Sequence, residues 1–227
     1  VQVVLLSEYG ITDVDQPVHL NRVFRAHGWL SLKNELGLEY LDYGECRTFA
    51  LADHQVAHIY VNDKSILPEV KCVLEATDGV ETVLDEEGKA AYGIDHERSG
   101  DLVVIAKPRA WFTYYYWEDD TLAPDFARCI DIHRKAGYDP AELFFDPQLK
   151  LPKLRVLKAL LKKKLGFRSL MDVIPLDANC VRGSHGRIPE DSKDWPVYIT
   201  SVAAKPTQNI EAIEVYGKLK SLILEES

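Results

Sequence analysis

Residues 1–10 read Val1-Gln2-Val3-Val4-Leu5-Leu6-Ser7-Glu8-Tyr9-Gly10, a β-branched and apolar run followed by four polar or turn-forming residues. An apolar run of this length predicts a buried strand, and the loop behind it sits at the strand's carboxyl end, where open α/β sheets bind ligands. Downstream, Pro17-Val18-His19-Leu20-Asn21-Arg22-Val23-Phe24-Arg25 carries apolar residues at helical spacing, with Asp13 and Asp15 ahead of it as candidate caps and His27-Gly28 behind it. Strand, polar loop and helix in that order predict the α/β class. The chain opens inside what reads as a sheet, without Met or a polar leader, so it is expected to start in the middle of a larger protein whose N-terminal part is missing.

Working outward, residues 49–61 have β-forming character and residues 68–76 read as a helix that stops before Asp78-Gly79. Residues 80–84 read as a strand with a Glu86-Glu87-Gly88 turn after it, and Arg98-Ser99-Gly100-Asp101 leads into a further strand, Leu102-Val103-Val104-Ile105-Ala106. This order predicts a small α+β insertion, a cap, over residues 46–118, with residues 1–45 and 119–227 forming the main body. Trp111-Phe112-Thr113-Tyr114-Tyr115-Tyr116-Trp117 is the densest aromatic run, and alternation along it would turn some rings inward and others onto a cleft wall. Residues 131–146 are rich in turn formers and predict structured loop. Residues 151–165 read as a helix with a solvated lysine face that ends at Gly166, residues 195–199 lead into a strand, and residues 209–224 have the spacing of a closing amphipathic helix.

The 227 residues suffice for one sizeable domain, and a hydrophobic fraction of 46% with 28% charged residues excludes a disordered or fibrous chain. A net charge of -9 argues against a nucleic-acid duplex as partner, because phosphate neutralisation needs clustered Lys and Arg. The four cysteines, Cys46, Cys72, Cys129 and Cys180, lack CxxC or zinc-finger spacing and are expected to be reduced, buried thiols. No stretch reaches the roughly 18 to 20 apolar residues of a membrane span, so the reading is cytoplasmic, with no membrane partner.

The residues able to carry metal or acid–base chemistry are Glu8, Asp53, His54, His58, Asp131, His133, Asp139 and His185. Carboxylates and imidazoles on loops at sheet ends are the donors that divalent metals use. His185 lies in Arg182-Gly183-Ser184-His185-Gly186-Arg187, where flanking glycines let the backbone approach a ligand closely; a plain exposed histidine in a glycine turn is the alternative. His54 and His58, four apart on a strand, would share a face about 13 to 14 Å from each other, too far for one metal, although either could line a substrate pocket. Asp131-Ile132-His133-Arg134-Lys135 concentrates acid, base and cation in five residues, suited to holding phosphate or steadying a metal ligand, or to a polar surface network.

Taken together, Ser7-Glu8-Tyr9-Gly10, Ala52-Asp53-His54-Gln55, Arg98-Ser99-Gly100-Asp101-Leu102-Val103, Asp131-Ile132-His133-Arg134-Lys135 and Gly183-Ser184-His185-Gly186 resemble a bacterial subgroup of nucleotide pyrophosphatase/phosphodiesterase-like proteins in the alkaline phosphatase superfamily. The resemblance spans nearly the whole chain and implies a partial alkaline-phosphatase-like core sheet flanked by helices. It implies two divalent metals, commonly zinc, a Thr or Ser nucleophile upstream of Val1, and His185 in the place of a late metal-binding histidine. Glu8 stands where the family has a metal-binding Asp, and Tyr9 where it has a His. A phenol with pKa near 10 must ionise before it binds a metal strongly. The metal ligands expected in this chain are therefore Glu8 and His185, with Tyr9, His54, Asp131, His133 and Lys135 touching substrate or supporting the ligands. Trp111, Tyr115 and Trp117 are candidate ring-stacking residues of the cap. The implied activity is hydrolysis of a phosphodiester or pyrophosphate, with a small phosphate ester or nucleotide as substrate and this chain alone inactive. A non-catalytic ligand-binding module on the same scaffold is the alternative from another class, and a sulfate, phosphonate or sugar-phosphate ester the alternative substrate.

Overall fold

The computed structural model describes residues 2–131, 133–201 and 209–224. The chain divides into two compact units, Val1–Glu8 with Pro196–Ser227, and Tyr9–Trp195.

In the smaller unit, β1 (Val4–Leu6) is a short strand. The main unit opens with β2 (Thr12–Asp13), β3 (Gln16–Val18), α1 (Leu20–Ala26) and the hairpin of β4 (Leu32–Glu35) and β5 (Leu38–Leu41). It continues through β6 (Thr48–Asp53), β7 (Val56–Val61), α2 (Leu67–Ala76), β8 (Val80–Leu84), α3 (Glu86–Ala91), β9 (Leu102–Ala106) and β10 (Ala110–Phe112). After a long irregular stretch come α4 (Pro152–Lys164) and β11 (Gly183–Ser184), and the smaller unit closes with β12 (Tyr198–Thr200) and α5 (Val215–Leu224).

β1 pairs antiparallel with β12, Leu5 opposite Ile199, and Ser7 N–H donates to Val197 O at 3.0 Å. The strand expected to be buried is exposed here: Leu5 is 60% accessible and Val3 59%. Among the described residues it belongs to a two-stranded ribbon of three-residue strands, which is too small to bury its own faces.

The main unit is built on an antiparallel sheet in the order β6-β7-β9-β8. Burial alternates along β6 and β7, so Ala50, Ala52, Ala57, Ile59 and Val61 face one way and join Leu102, Val104 and Ala106 in the core. Helices α1 and α2 cover that face with Leu20, Phe24, Val70 and Leu74. Asn21, fully buried on α1, accepts from Ala50 N–H at 2.8 Å and donates to Ala50 O at 2.9 Å, which satisfies both backbone groups of that β6 residue.

The β-forming run at residues 49–61 is a hairpin rather than one strand: β6 and β7 turn at His54 and Gln55, with His54 at φ +56°. His58 therefore lies on β7 opposite Leu51, not on a common face with His54. The predicted helix at residues 17–25 starts only at Leu20, because Gln16–Val18 pair in parallel with Ala110–Phe112. The acidic turn after β8 is a short helix, its first turn capped by Asp85 accepting from Gly88 N–H.

The aromatic run differs most from expectation. Trp111, Tyr114, Tyr115, Tyr116 and Trp117 are all at most 2% accessible and form, with Val14, Phe126, Leu176 and Val181, a second core. None of these rings reaches a cleft wall, so Trp111, Tyr115 and Trp117 cannot stack on a ligand as expected.

Helix α4 shows leucines as well as lysines to solvent, with Leu154, Leu157 and Leu161 each about half exposed. Of the four free cysteines, Cys46 and Cys129 are buried as expected, Cys180 is half-buried and Cys72 is exposed. Among the described residues no helix is long and apolar enough to cross a membrane.

Candidate active site

Four segments far apart in sequence bring their rings into one stack. Tyr9 lies face to face with His185, centroids 3.6 Å apart and planes 9° from parallel. His185 in turn meets His54 at 3.9 Å and 33°, and His54 meets Tyr138 at 4.7 Å and 22°.

Each ring is placed by backbone bonds of its neighbours. His54 occupies the β6–β7 turn, and its carbonyl accepts from Phe112 N–H at 2.7 Å. Gln55 N–H donates to His185 O at 2.9 Å, and Gln55 Nε2 reaches Ala110 O at 3.1 Å. The segment of His185 is held from its other side, where Gly183 and Ser184 pair with Asp13 and Thr12. Tyr138 is fixed by its N–H donating to Ala52 O at 2.8 Å, while Ala52 N–H donates to Ala136 O. Between them Gly137 has φ +123° and lies so close to β6 that a Cβ there would stand 2.0 Å from Ala52 O. Only glycine fits that position.

His54 Nδ1–H donates to Asp53 Oδ1 at 2.6 Å. This bond is the main reason the Asp53 carboxyl is held below its ordinary range, outweighing the opposing effect of burial; His54, His185 and His58 add attraction. A carboxylate on Nδ1 fixes the ring orientation and leaves Nε2 as the remaining nitrogen of a neutral imidazole. His58 accepts from Gly100 N–H at its own Nδ1, 3.2 Å away, and burial lowers its pKa.

Of the residues predicted from sequence, the structure thus brings Tyr9, His54 and His185 together. Asp131 and Lys135 join a separate buried network: Lys135 Nζ bonds Asp139 Oδ2 at 2.8 Å and Glu142 Oε1 at 2.7 Å, and Asp131 N–H donates to Glu142 Oε1 at 3.3 Å. The Lys135 side chain is fully inaccessible and lies over the Tyr114 ring at 5.5 Å. One cation faces two carboxylates there, and burial raises the Asp139 pKa despite the ion pair. His133 is exposed. Glu8, also exposed, belongs to the smaller unit and His185 to the main one.

Tyr138 and the Asp53–His54 bond were not singled out from the sequence. The signal for Tyr138 was the preceding Gly137, which reads as a turn residue but serves as a point of close backbone approach.

Two imidazoles and a carboxylate are the nitrogen and oxygen donors that zinc takes, so the site fits a divalent metal in donor type. Among the described residues, however, no three His, Cys, Asp or Glu side chains stand close enough to hold one by themselves.

The family model for type I phosphodiesterase / nucleotide pyrophosphatase matches residues 1–139, more than half of the chain, and the chain belongs to that family. The match includes Tyr9, Asp53, His54 and Tyr138; His185 lies beyond it. Among solved structures, phosphonoacetate hydrolase from Sinorhizobium meliloti 1021 is similar at 16% identity and a TM-score of 0.37. In its complex with phosphonoformate the match covers 54% of this chain and 30% of that one. In the complex with phosphonoacetate it covers 55% and 31%. The chain thus spans about a third of that enzyme's length. No curated protein matches the chain.

Proposed function

We propose that this chain contributes part of the active site of a metal-dependent hydrolase acting on phosphodiester or pyrophosphate bonds in small, nucleotide-like substrates. The observation that carries the reading is the His54–His185 pair at 3.9 Å, assembled from the Asp53-His54 turn and the glycine-flanked His185 segment. Family membership supports it independently.

In this reading His185 and Glu8 each contribute a metal ligand, one in each unit, with zinc the metal that suits the donors. A divalent ion on His185 would supply Lewis acidity toward a phosphoryl oxygen. Asp53 accepts from His54 Nδ1–H and orients the ring, so that Nε2 can exchange a proton or a hydrogen bond with a phosphoryl or leaving oxygen. Tyr9 and Tyr138 flank the two imidazoles and limit the approach of water to their faces. Asp131 and Lys135, through the Glu142 network, steady the loop that carries Tyr138, and His133 is left as a surface contact for substrate. The nucleophile is supplied from outside these residues, and residues 46–118 act as the cap.

A second reading, a ligand-binding module without turnover, is favoured by one feature: Tyr9 replaces an imidazole and its ring is packed flat on His185. The two are separated by measuring metal content by mass spectrometry and hydrolysis of bis(p-nitrophenyl) phosphate in the natural protein that carries this chain. Bound metal and turnover, both lost in Glu8→Ala or His185→Ala, support the hydrolase. A metal-free, inert natural protein refutes it and leaves the binding module.

A further inference from the structure

The sheet β6-β7-β9-β8 has two faces, and only one is filled by α1 and α2. On the other, Val56, His58, Val103, Ile105 and Thr82 occupy directly paired positions: His58 opposite Val103, and Ile105 opposite both Val56 and Thr82. Tyr92, Ile94 and residues 186–188 line this patch with it, and together they form a half-open cavity of about 350 Å³. That volume is at the lower end of the roughly 300 to 1,000 Å³ typical of small-molecule sites.

The cavity lies beside the backbone segments that carry two of the stacked rings, His54 and His185. Gly186, the residue after His185, lines it, and a Cβ there would lie 3.2 Å from Val56 Cγ2 and 3.5 Å from Gln55 N. Val56 in turn is two residues from His54. Its walls are largely aliphatic, and the charges among them cancel. Arg187 Nη2 bonds Glu81 Oε1 at 2.8 Å, with Glu190 Oε1 a further 2.9 Å partner outside the lining. His58 Nδ1 is occupied as an acceptor by Gly100 N–H, which requires a nitrogen without a proton. A cavity with apolar walls and no uncompensated charge favours an uncharged, apolar occupant and disfavours an ionic one.

We propose that this cavity seats the uncharged aryl or alkyl group esterified to the phosphorus of the substrate, making Thr82, Tyr92, Ile94 and Ile105 determinants of specificity. The inference rests on the hydrolase reading above and extends it: the preferred substrates carry a hydrophobic ring or short chain on one ester oxygen. Thr82 and Ile105 form the floor, and Tyr92, half exposed, forms the rim.

The test uses the natural protein carrying this chain, with phenylphosphonate and methylphosphonate as titrants in calorimetry, and phenyl and methyl p-nitrophenyl phosphate as substrates. Phenylphosphonate is expected to bind about tenfold more tightly than methylphosphonate, since burying a ring in an apolar pocket is worth at least that factor. Thr82→Phe fills the floor and should bring the two affinities within about twofold. Tyr92→Ala, at an exposed position that does not endanger folding, should lower the preference about threefold. Equal affinities in the parent, or a preference that survives in Tyr92→Ala and in folded Thr82→Phe, overturn the assignment. Turnover of both diesters without phenyl preference overturns the cavity assignment alone. A phenyl preference in binding with neither diester hydrolysed removes only the hydrolase reading. Failure of both phosphonates to bind and both diesters to react removes both.

Discussion

Replacing Gly137 by alanine tests whether the loop carrying Tyr138 is locked to the β6–β7 hairpin as described. The new Cβ would stand 2.0 Å from Ala52 O, 2.6 Å from Ala52 N and 2.8 Å from Ala52 C, all backbone atoms of a buried residue of β6 that cannot rotate away. Relief requires the loop to move off β6 by more than 1 Å, breaking the bonds from Ala52 N–H to Ala136 O and from Tyr138 N–H to Ala52 O. Two such bonds contribute about 2 kcal/mol net. A non-glycine residue at φ +123° adds strain of roughly 1 to 2 kcal/mol. The sum, about 3 to 4 kcal/mol, is a large share of the roughly 5 to 15 kcal/mol that stabilises a domain. For a chain of this size it lowers Tm by about 6 to 16 °C. Gly166→Ala is the matched control. Gly166 also has positive φ, +84°, but a Cβ there meets nothing within 4 Å, so only the backbone term of about 1 kcal/mol applies. Thermal unfolding followed by circular dichroism compares the two. Equal losses of Tm in both variants would refute the close-approach argument.

Two further outcomes follow from the buried charges. Lys135→Met leaves Asp139 and Glu142 facing each other without a cation, and should destabilise the protein by about 3 to 5 kcal/mol in urea unfolding; the triple variant Lys135→Met, Asp139→Asn, Glu142→Gln should recover most of it. A triple variant as unstable as the single one would show that packing, not charge, dominates there. Burial, helped by Arg22, pushes the His19 pKa from its ordinary value down to about 4. The unfolded chain then binds more protons than the folded one between pH 6.5 and 4, so this contribution to stability is complete above 6.5 and is lost as pH falls through that window. Between pH 7.5 and 5.5 the loss is about 1 kcal/mol, and it should vanish in His19→Gln when urea midpoints are compared at the two pH values; an unchanged pH dependence would contradict the burial of a neutral imidazole.

How much of this was legible in the sequence depended on whether a feature is local. Strands β8 and β9 fell where residues 80–84 and 102–106 predicted them; β9 lies between β7 and β8, and a strand in the interior of a sheet reads as an unbroken apolar run. The hairpin at 48–61 was missed because its turn uses His54 at positive φ instead of an Asn-Gly or Asp-Gly pair, and no propensity announces that. The aromatic run misled for the opposite reason. Alternation assigns rings to two faces, but it cannot tell whether the second face meets solvent or another layer. Here Tyr114 to Trp117 lie in one core with Phe126, Leu176 and Val181. The ring stack shows the same limit at the site. His185 was visible through its glycines and its family position. That its ring would meet Tyr9 and His54 was not visible, because those contacts join residues more than a hundred positions apart and depend on Gln55 bonding to His185 O and Gly137 pressing on Ala52. A motif thus identifies the donor, but the backbone contacts of the residues beside it decide what that donor faces. This is why Gly137→Ala, which touches none of the four rings, should disturb the site as much as the fold.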